Sequence, residues 1–155
     1  MPIKYYPEDE QNSNFIGIKF PTNGNVSSNG GFFNMSRTTE EQAVTNYINL
    51  LLTKRGERYM QPSYGIGLPY RLFEPNTAQL RQLIKLEIEQ QSAIWLPYII
   101  NHNIEVQDGI DILGMNPTDA ENGIRILIEF SVTEKGANKQ ITIFQDNGKV
   151  QYLVE

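Results

Sequence analysis

The chain has 155 residues, 39% hydrophobic and 20% charged, with a formal net charge of −5 and a pI of about 4.9. That balance fits one folded domain burying roughly two-thirds of its unfolded surface, and its acidity argues against a phosphate-tracking surface for nucleic acid. The absence of cysteine excludes disulfides, thiol catalysis and cysteine-bound zinc, and no apolar run reaches the ~18 residues of a membrane span.

Residues 1–38 read as an N-terminal arm, partly extended, ahead of one α+β domain over 39–155. The opening "MPIKYYPEDEQNSNF" lacks the apolar core of a signal peptide, so the chain is expected in the cytoplasm or in an assembly built there. Within the arm, Phe15, Ile18 and Phe20 surround Gly17 and suggest one short strand. The stretch that follows is rich in Asn, Gly and Ser, with little to bury against the entropy of ordering it. Its Phe32-Phe33 pair is a hydrophobic plug onto the protein's own core or a contact for a partner.

A first helix is expected over 39–55. Thr38 with Glu41, or Thr39 with Gln42, offers a capping box, and Ala43, Val44, Tyr47, Ile48, Leu51 and Leu52 recur on one face. Lys54 and Arg55 suit the negative end of the helix dipole, and Gly56 a left-handed cap. A second helix starts near Asn76 or Thr77 and ends where Pro97 disfavours helix at Leu96. Its buried stripe is expected to comprise Leu80, Leu83, Ile84, Ile88 and Trp95.

Between the two helices lies "LLLTKRGERYMQPSYGIGLPYRLFEP", Leu50 to Pro75, far longer than the usual connection of about 4–6 residues. Four charges crowd Lys54 to Arg58, and tyrosines, glycines and prolines follow.

Beyond Pro97 the pattern is strand. Ile100, His102, Ile104 and Val106 alternate, as do Ile124, Ile126, Ile128, Phe130 and Val132. A short strand is expected at Ile110–Leu113. Asn147-Gly148, between two alternating runs, marks a hairpin. The fold class is α+β: a two-helix layer packed on a mostly antiparallel sheet that ends in a C-terminal β-hairpin.

No catalytic constellation stands out. His102 is the single histidine and falls in line with inward strand positions, where a structural role competes with that of a base or ligand. "GIGLP" lacks the lysine and helix of a phosphate loop, and "DGIDILGMNPTD" lacks the ligand spacing of a calcium loop. No cofactor or metal is therefore expected. Glu57 and Glu74 are the one carboxylate pair that could support glycosidic hydrolysis. Their alternative roles are structural: Glu57 pairing with Arg55 or Arg58, Glu74 favouring the second helix start.

The connector carries a resemblance. The leucine-threonine run, Gly56-Glu57-Arg58, Gln61-Pro62, Tyr64-Gly65 and Phe73-Glu74-Pro75 resemble the baseplate wedge, or sheath-initiator, proteins of contractile-tailed phages. That family also holds a type VI secretion baseplate subunit and carries an old "lysozyme-like" label. The likeness runs from about Thr39 to the C-terminus and is densest in its first third. One departure stands out: many members have Glu-Pro-Arg where this chain has Leu96-Pro97-Tyr98, so both flanking charges are replaced by packing residues.

The resemblance implies a structural, non-enzymatic role in a virion tail baseplate assembled in the host cytoplasm. Expected partners are the sheath subunit, other baseplate wedge subunits and the tail tube, with neither nucleic acid nor membrane. It further implies that the C-terminal strand offers an edge to the first sheath ring. Val150, Gln151, Tyr152, Leu153 and Val154 would set that pairing, since strand addition takes affinity from backbone bonds and register from alternate side chains. The alternative is that the hairpin completes the domain's own sheet. In the connector, Arg55, Arg58, Tyr59, Met60, Tyr64, Tyr70 and Arg71 are residue types enriched at interfaces, held by glycines and prolines. They are the expected wedge contacts, unless the tyrosines pack onto the protein's own helices. The functional alternative is a tail-associated peptidoglycan hydrolase using Glu57 and Glu74.

Overall fold

The computed structural model describes residues 15–19, 35–108, 124–132, 136–146 and 149–154, with backbone alone for 108, 145, 146 and 149–152. The expectations for Phe20, Phe32-Phe33, Ile110–Leu113 and the Asn147-Gly148 turn lie outside these residues. The chain forms two compact units, residues 1–49 and 50–155.

In the first unit, β1 (Gly17–Ile18) pairs antiparallel with β2 (Met35–Ser36). α1 (Thr39–Leu52) follows at once. Its start uses one of the two anticipated caps: Thr38 Oγ1 accepts the Glu41 amide at 3.2 Å. The Glu41 carboxylate reaches back one residue further than a capping box requires, accepting the Arg37 amide at 3.0 Å and meeting Lys19 Nζ at 2.9 Å. Burial works against the charge of Glu41, but the Arg37 amide, the Lys19 ammonium and the Thr38 amide outweigh it and hold its carboxyl below the usual value. Ala43, Val44, Tyr47 and Ile48 are buried, as their spacing predicts.

The second unit is built on a four-stranded sheet of order β3-β4-β5-β6, antiparallel throughout. Its strands are β3 (Ile100–Asp108), β4 (Ile124–Ser131), β5 (Lys139–Asp146) and β6 (Lys149–Val154). Two helical segments precede them: α2 (Leu68–Arg71), a single turn, and α3 (Ala78–Trp95). Strands in sequence order lie side by side, which makes the sheet a simple meander. Ile124, Ile126, Ile128 and Phe130 all point inward from β4, and Ile141 and Ile143 do so from β5. α3 packs against β3 and adds Leu80, Ile84 and Ile88 to this core. The Thr77 hydroxyl caps α3 by accepting the Leu80 amide at 3.2 Å, and Pro97 closes it as expected. The fold class is α+β, with the sheet formed by the C-terminal strands.

Three expectations are corrected here. α1 ends at Leu52 instead of 55, because the amide of Lys54 is taken by the Glu57 carboxylate at 2.9 Å. Leu83 is exposed and does not belong to the buried stripe of α3, while Gln91 and Ser92 do. His102 does not face inward. The pairing of β3 with β4 slips between Asn101 and Asn103, leaving His102 as the extra residue of a bulge. It is exposed, and its Nε2 lies 2.9 Å from Ser131 Oγ.

Candidate protein interface

The connector is an ordered loop with each end fastened. Glu57 N donates to Lys54 O at 3.1 Å, and the left-handed Gly56 (φ 85°) sits inside that turn, not at the helix end. Gly56 N then donates to Pro62 O at 2.8 Å, closing a short excursion that carries Tyr59 and Met60 at its tip. These two are 95% and 86% exposed. After the tip the chain dives inward: Tyr64, Ile66 and Leu68 are buried, and Ile66 N donates to Leu50 O at 3.1 Å. Gly65 makes this close approach possible. Its φ is 105°, and a Cβ there would strike the Thr53 carbonyl.

Side chains lock the loop. The Arg58 guanidinium lies 3.8 Å from the Tyr64 ring centroid, and Tyr64 meets Trp95 of α3 edge-on at 5.3 Å. Burial raises the Tyr64 hydroxyl pKa, Tyr98 adds to the shift, and Arg58 opposes it. Lys54 Nζ stands 4.5 Å from the Tyr70 ring. Most telling is Glu87 of α3. Its carboxylate receives Arg55 at 3.2 Å and Arg71 at 3.2 Å, so residues from opposite ends of the connector close on one acid. Burial disfavours the Arg71 charge, yet Glu87 and Glu74 outweigh it and raise its pKa further.

Of the residues expected to make wedge contacts, Arg55 and Arg71 thus meet on Glu87, and Arg58 stacks on Tyr64. Tyr64 lies beneath the loop against Trp95. Tyr59, Met60 and Tyr70 are exposed, and Phe73, outside the expected set, is exposed beside them in sequence. Sequence reasoning also missed Glu87. The available signal was an acid next to Ile88, at the border of the buried stripe, with two unmatched arginines in the connector.

The carboxylate pair has structural partners. Glu57 accepts the Lys54 amide, and Glu74 pairs with Arg71 at 3.1 Å. Where many relatives would have Glu-Pro-Arg, Leu96 is buried and donates its amide to Ser92 O at 2.8 Å.

The second candidate surface is the sheet edge. β6 is an end strand, paired to β5 through Ile141↔Val154, Thr142↔Leu153 and Ile143↔Tyr152. Leu153 and Val154 are 55% and 41% exposed. Val150, Gln151 and Tyr152 take their places in the same register, opposite Gln145, Phe144 and Ile143. Among the described residues, no group of three potential metal ligands forms, and no helix is long and apolar enough to cross a membrane.

A meander sheet, a fastened aromatic loop and an apolar strand edge define a small α+β protein whose exposed chemistry suits contact with other proteins. The chain belongs to the family of baseplate wedge protein gp25, whose model matches residues 38–137. It is thereby a structural component of a contractile-tail baseplate. Two solved structures share the fold. One is a Geobacter sulfurreducens protein described as a tail lysozyme, 24% identical, with a TM-score of 0.54 over 77% of this chain and 96% of that one. The other is a chain of the anti-feeding prophage baseplate, 22% identical, with a TM-score of 0.55 over 76% of this chain and 84% of that one. No curated protein matches.

Proposed function

We propose that the protein initiates sheath polymerisation by offering β6 to the first sheath ring. The observation that carries this reading is the end strand itself, which among the described residues pairs with β5 alone and exposes Leu153 and Val154. An apolar edge of this kind is a liability unless a strand is meant to add there. Incoming strand would take its affinity from backbone hydrogen bonds, which are indifferent to sequence, and its register from the alternating side chains Val150 to Val154. The connector serves a second contact, with other wedge subunits. Tyr59 and Met60 are its anchors, Tyr70 flanks them, and Arg55, Arg58, Tyr64 and Arg71 hold it in shape, which lowers the ordering cost of docking.

The test is seeding. The purified protein is mixed with the sheath subunit of the same tail, and polymer is followed by light scattering and electron microscopy. The wild type should seed ordered sheath, and a chain truncated after Asn138 should not. Because truncation removes two strands, a Leu153→Lys/Val154→Lys variant with unchanged melting runs beside it. Equal seeding by that variant would sink the edge mechanism. For the connector, Tyr59→Ser/Met60→Ser should keep its melting temperature yet fail to enter the baseplate; normal entry would remove the tip from the contact.

A further inference from the structure

The cations of the connector divide into two kinds. Between Leu50 and Pro75 it carries Lys54, Arg55, Arg58 and Arg71 against two acids, Glu57 and Glu74. Arg55 and Arg71 are neutralised by Glu87 and Glu74. Lys54 and Arg58 are held over tyrosine rings instead, Lys54 Nζ at 4.5 Å from Tyr70 and the Arg58 guanidinium at 3.8 Å from Tyr64. The remaining acid, Glu57, is turned onto the Lys54 amide, and among the described residues neither cation forms an ion pair. Two cations against one acid leave this end of the loop basic in a chain whose net charge is −5.

Arg58 is the better placed of the two, being half-buried and directly ahead of the exposed Tyr59 and Met60. A ring takes up the face of a guanidinium and leaves its planar edge of N–H donors free. Among the described residues that edge meets no hydrogen-bond acceptor. A fork aimed in advance matches a carboxylate, which it grips through two parallel bonds. We infer that Arg58 reads an Asp or Glu carboxylate of the protein docked on the connector, set beside an apolar pocket that takes Tyr59 and Met60. Lys54, whose stem lies against Gly67, adds attraction at longer range. The inference rests on the connector contact proposed above and names what that contact recognises. A nucleic-acid phosphate is the competing oxyanion, and it suits neither the apolar tip nor the acidity of the chain.

The test uses the other wedge subunits of the same tail, purified together without this chain, with binding read by fluorescence anisotropy of the labelled protein. Arg58→Met keeps an unbranched stem on the Tyr64 ring and removes the fork. It should bind at least about tenfold more weakly at an unchanged melting temperature, with a flatter salt dependence. Arg58→Lys should keep the salt dependence and recover only part of the affinity. On carbodiimide treatment it should also form an amide cross-link from position 58 to an Asp or Glu of a wedge subunit. Wild-type affinity in Arg58→Met, while Tyr59→Ser/Met60→Ser fails to bind, would overturn the inference and leave the connector contact standing. Wild-type affinity in both variants, or no binding by the wild type, would overturn the two together. Cross-links confined to this chain's own acids would overturn the carboxylate assignment even if Arg58→Met proved unstable. So would a labelled oligonucleotide that the wild type binds and Arg58→Met does not, since the fork would then serve a phosphate.

Discussion

The two end strands of the sheet answer the same physical problem in opposite ways. β3 is polar along its exposed positions: Asn103 and Gln107 both donate to the Glu105 carboxylate, at 3.0 and 3.2 Å, and His102 forms a bulge. Charges and bulges are the devices by which proteins blunt a strand edge, and α3 packs against this strand as well. β6 has neither device among its described side chains; what it exposes is Leu153 and Val154. Among the described residues, one side of the sheet is therefore guarded and the other is not. Under the proposed function, that difference would leave one side of the sheet for an added strand.

The comparison can be broken at several points. Phe130→Ala, in the central strand β4, should cost about 3–5 kcal/mol and shift the denaturant midpoint, removing both edges together. An intact sheet in that variant would mean that the edges are held independently. Leu153→Lys with Val154→Lys should abolish seeding while changing stability by no more than about 0.5 kcal/mol, as expected of exposed positions. Deleting His102 should straighten β3 and remove its contact with Ser131, for a loss of about 1 kcal/mol. Combined with Glu105→Val, it should also produce concentration-dependent association in sedimentation; a strictly monomeric double variant would show that β3 needs no guard.

The smallest effect belongs to the first unit and serves as a control. The Glu41 carboxyl has a folded pKa below its ordinary 4.5, so its stabilisation is complete above that value and is lost as pH falls through the depressed folded pKa. Acid titration should loosen the start of α1, seen as faster amide exchange near Glu41, and Glu41→Gln should remove that step. Exchange in β4 should not follow the same curve.

Legibility in the sequence followed the agreement of period with burial. In β4 the alternation of Ile124, Ile126, Ile128 and Phe130 coincides with real burial, so strand, facing and core were all readable. β3 carries the same alternation on paper, but one inserted residue resets the count at His102, and no residue type announces a bulge. α3 has two apolar arcs, and periodicity alone cannot say which one a core will cover; Leu83 lies on the arc that stays exposed. The helix end failed for a local reason. Gly56 does adopt a positive φ, but in the Lys54–Glu57 turn, where the Glu57 side chain competes for the amide of Lys54. In the connector, composition alone cannot sort Tyr64, which packs on Trp95, from Tyr59, which touches solvent. That sorting depends on α3, whose Glu87 is 32 positions from Arg55 and 16 from Arg71 along the chain, beyond any local pattern.

The double grip on Glu87 has a mechanical consequence. A loop tied at one end acts as a tether: a pull at its tip is absorbed by swinging. Tied at both ends to one point on a helix, it acts as a bracket. Load applied at Tyr59 and Met60 passes through Arg55 and Arg71 into α3, and from α3 into the strand packed beneath it. In a machine that stores and releases tension, such a bracket would carry force from a neighbouring subunit to the sheet with little slack, and high salt, by weakening the ionic clasp, would turn the bracket back into a tether.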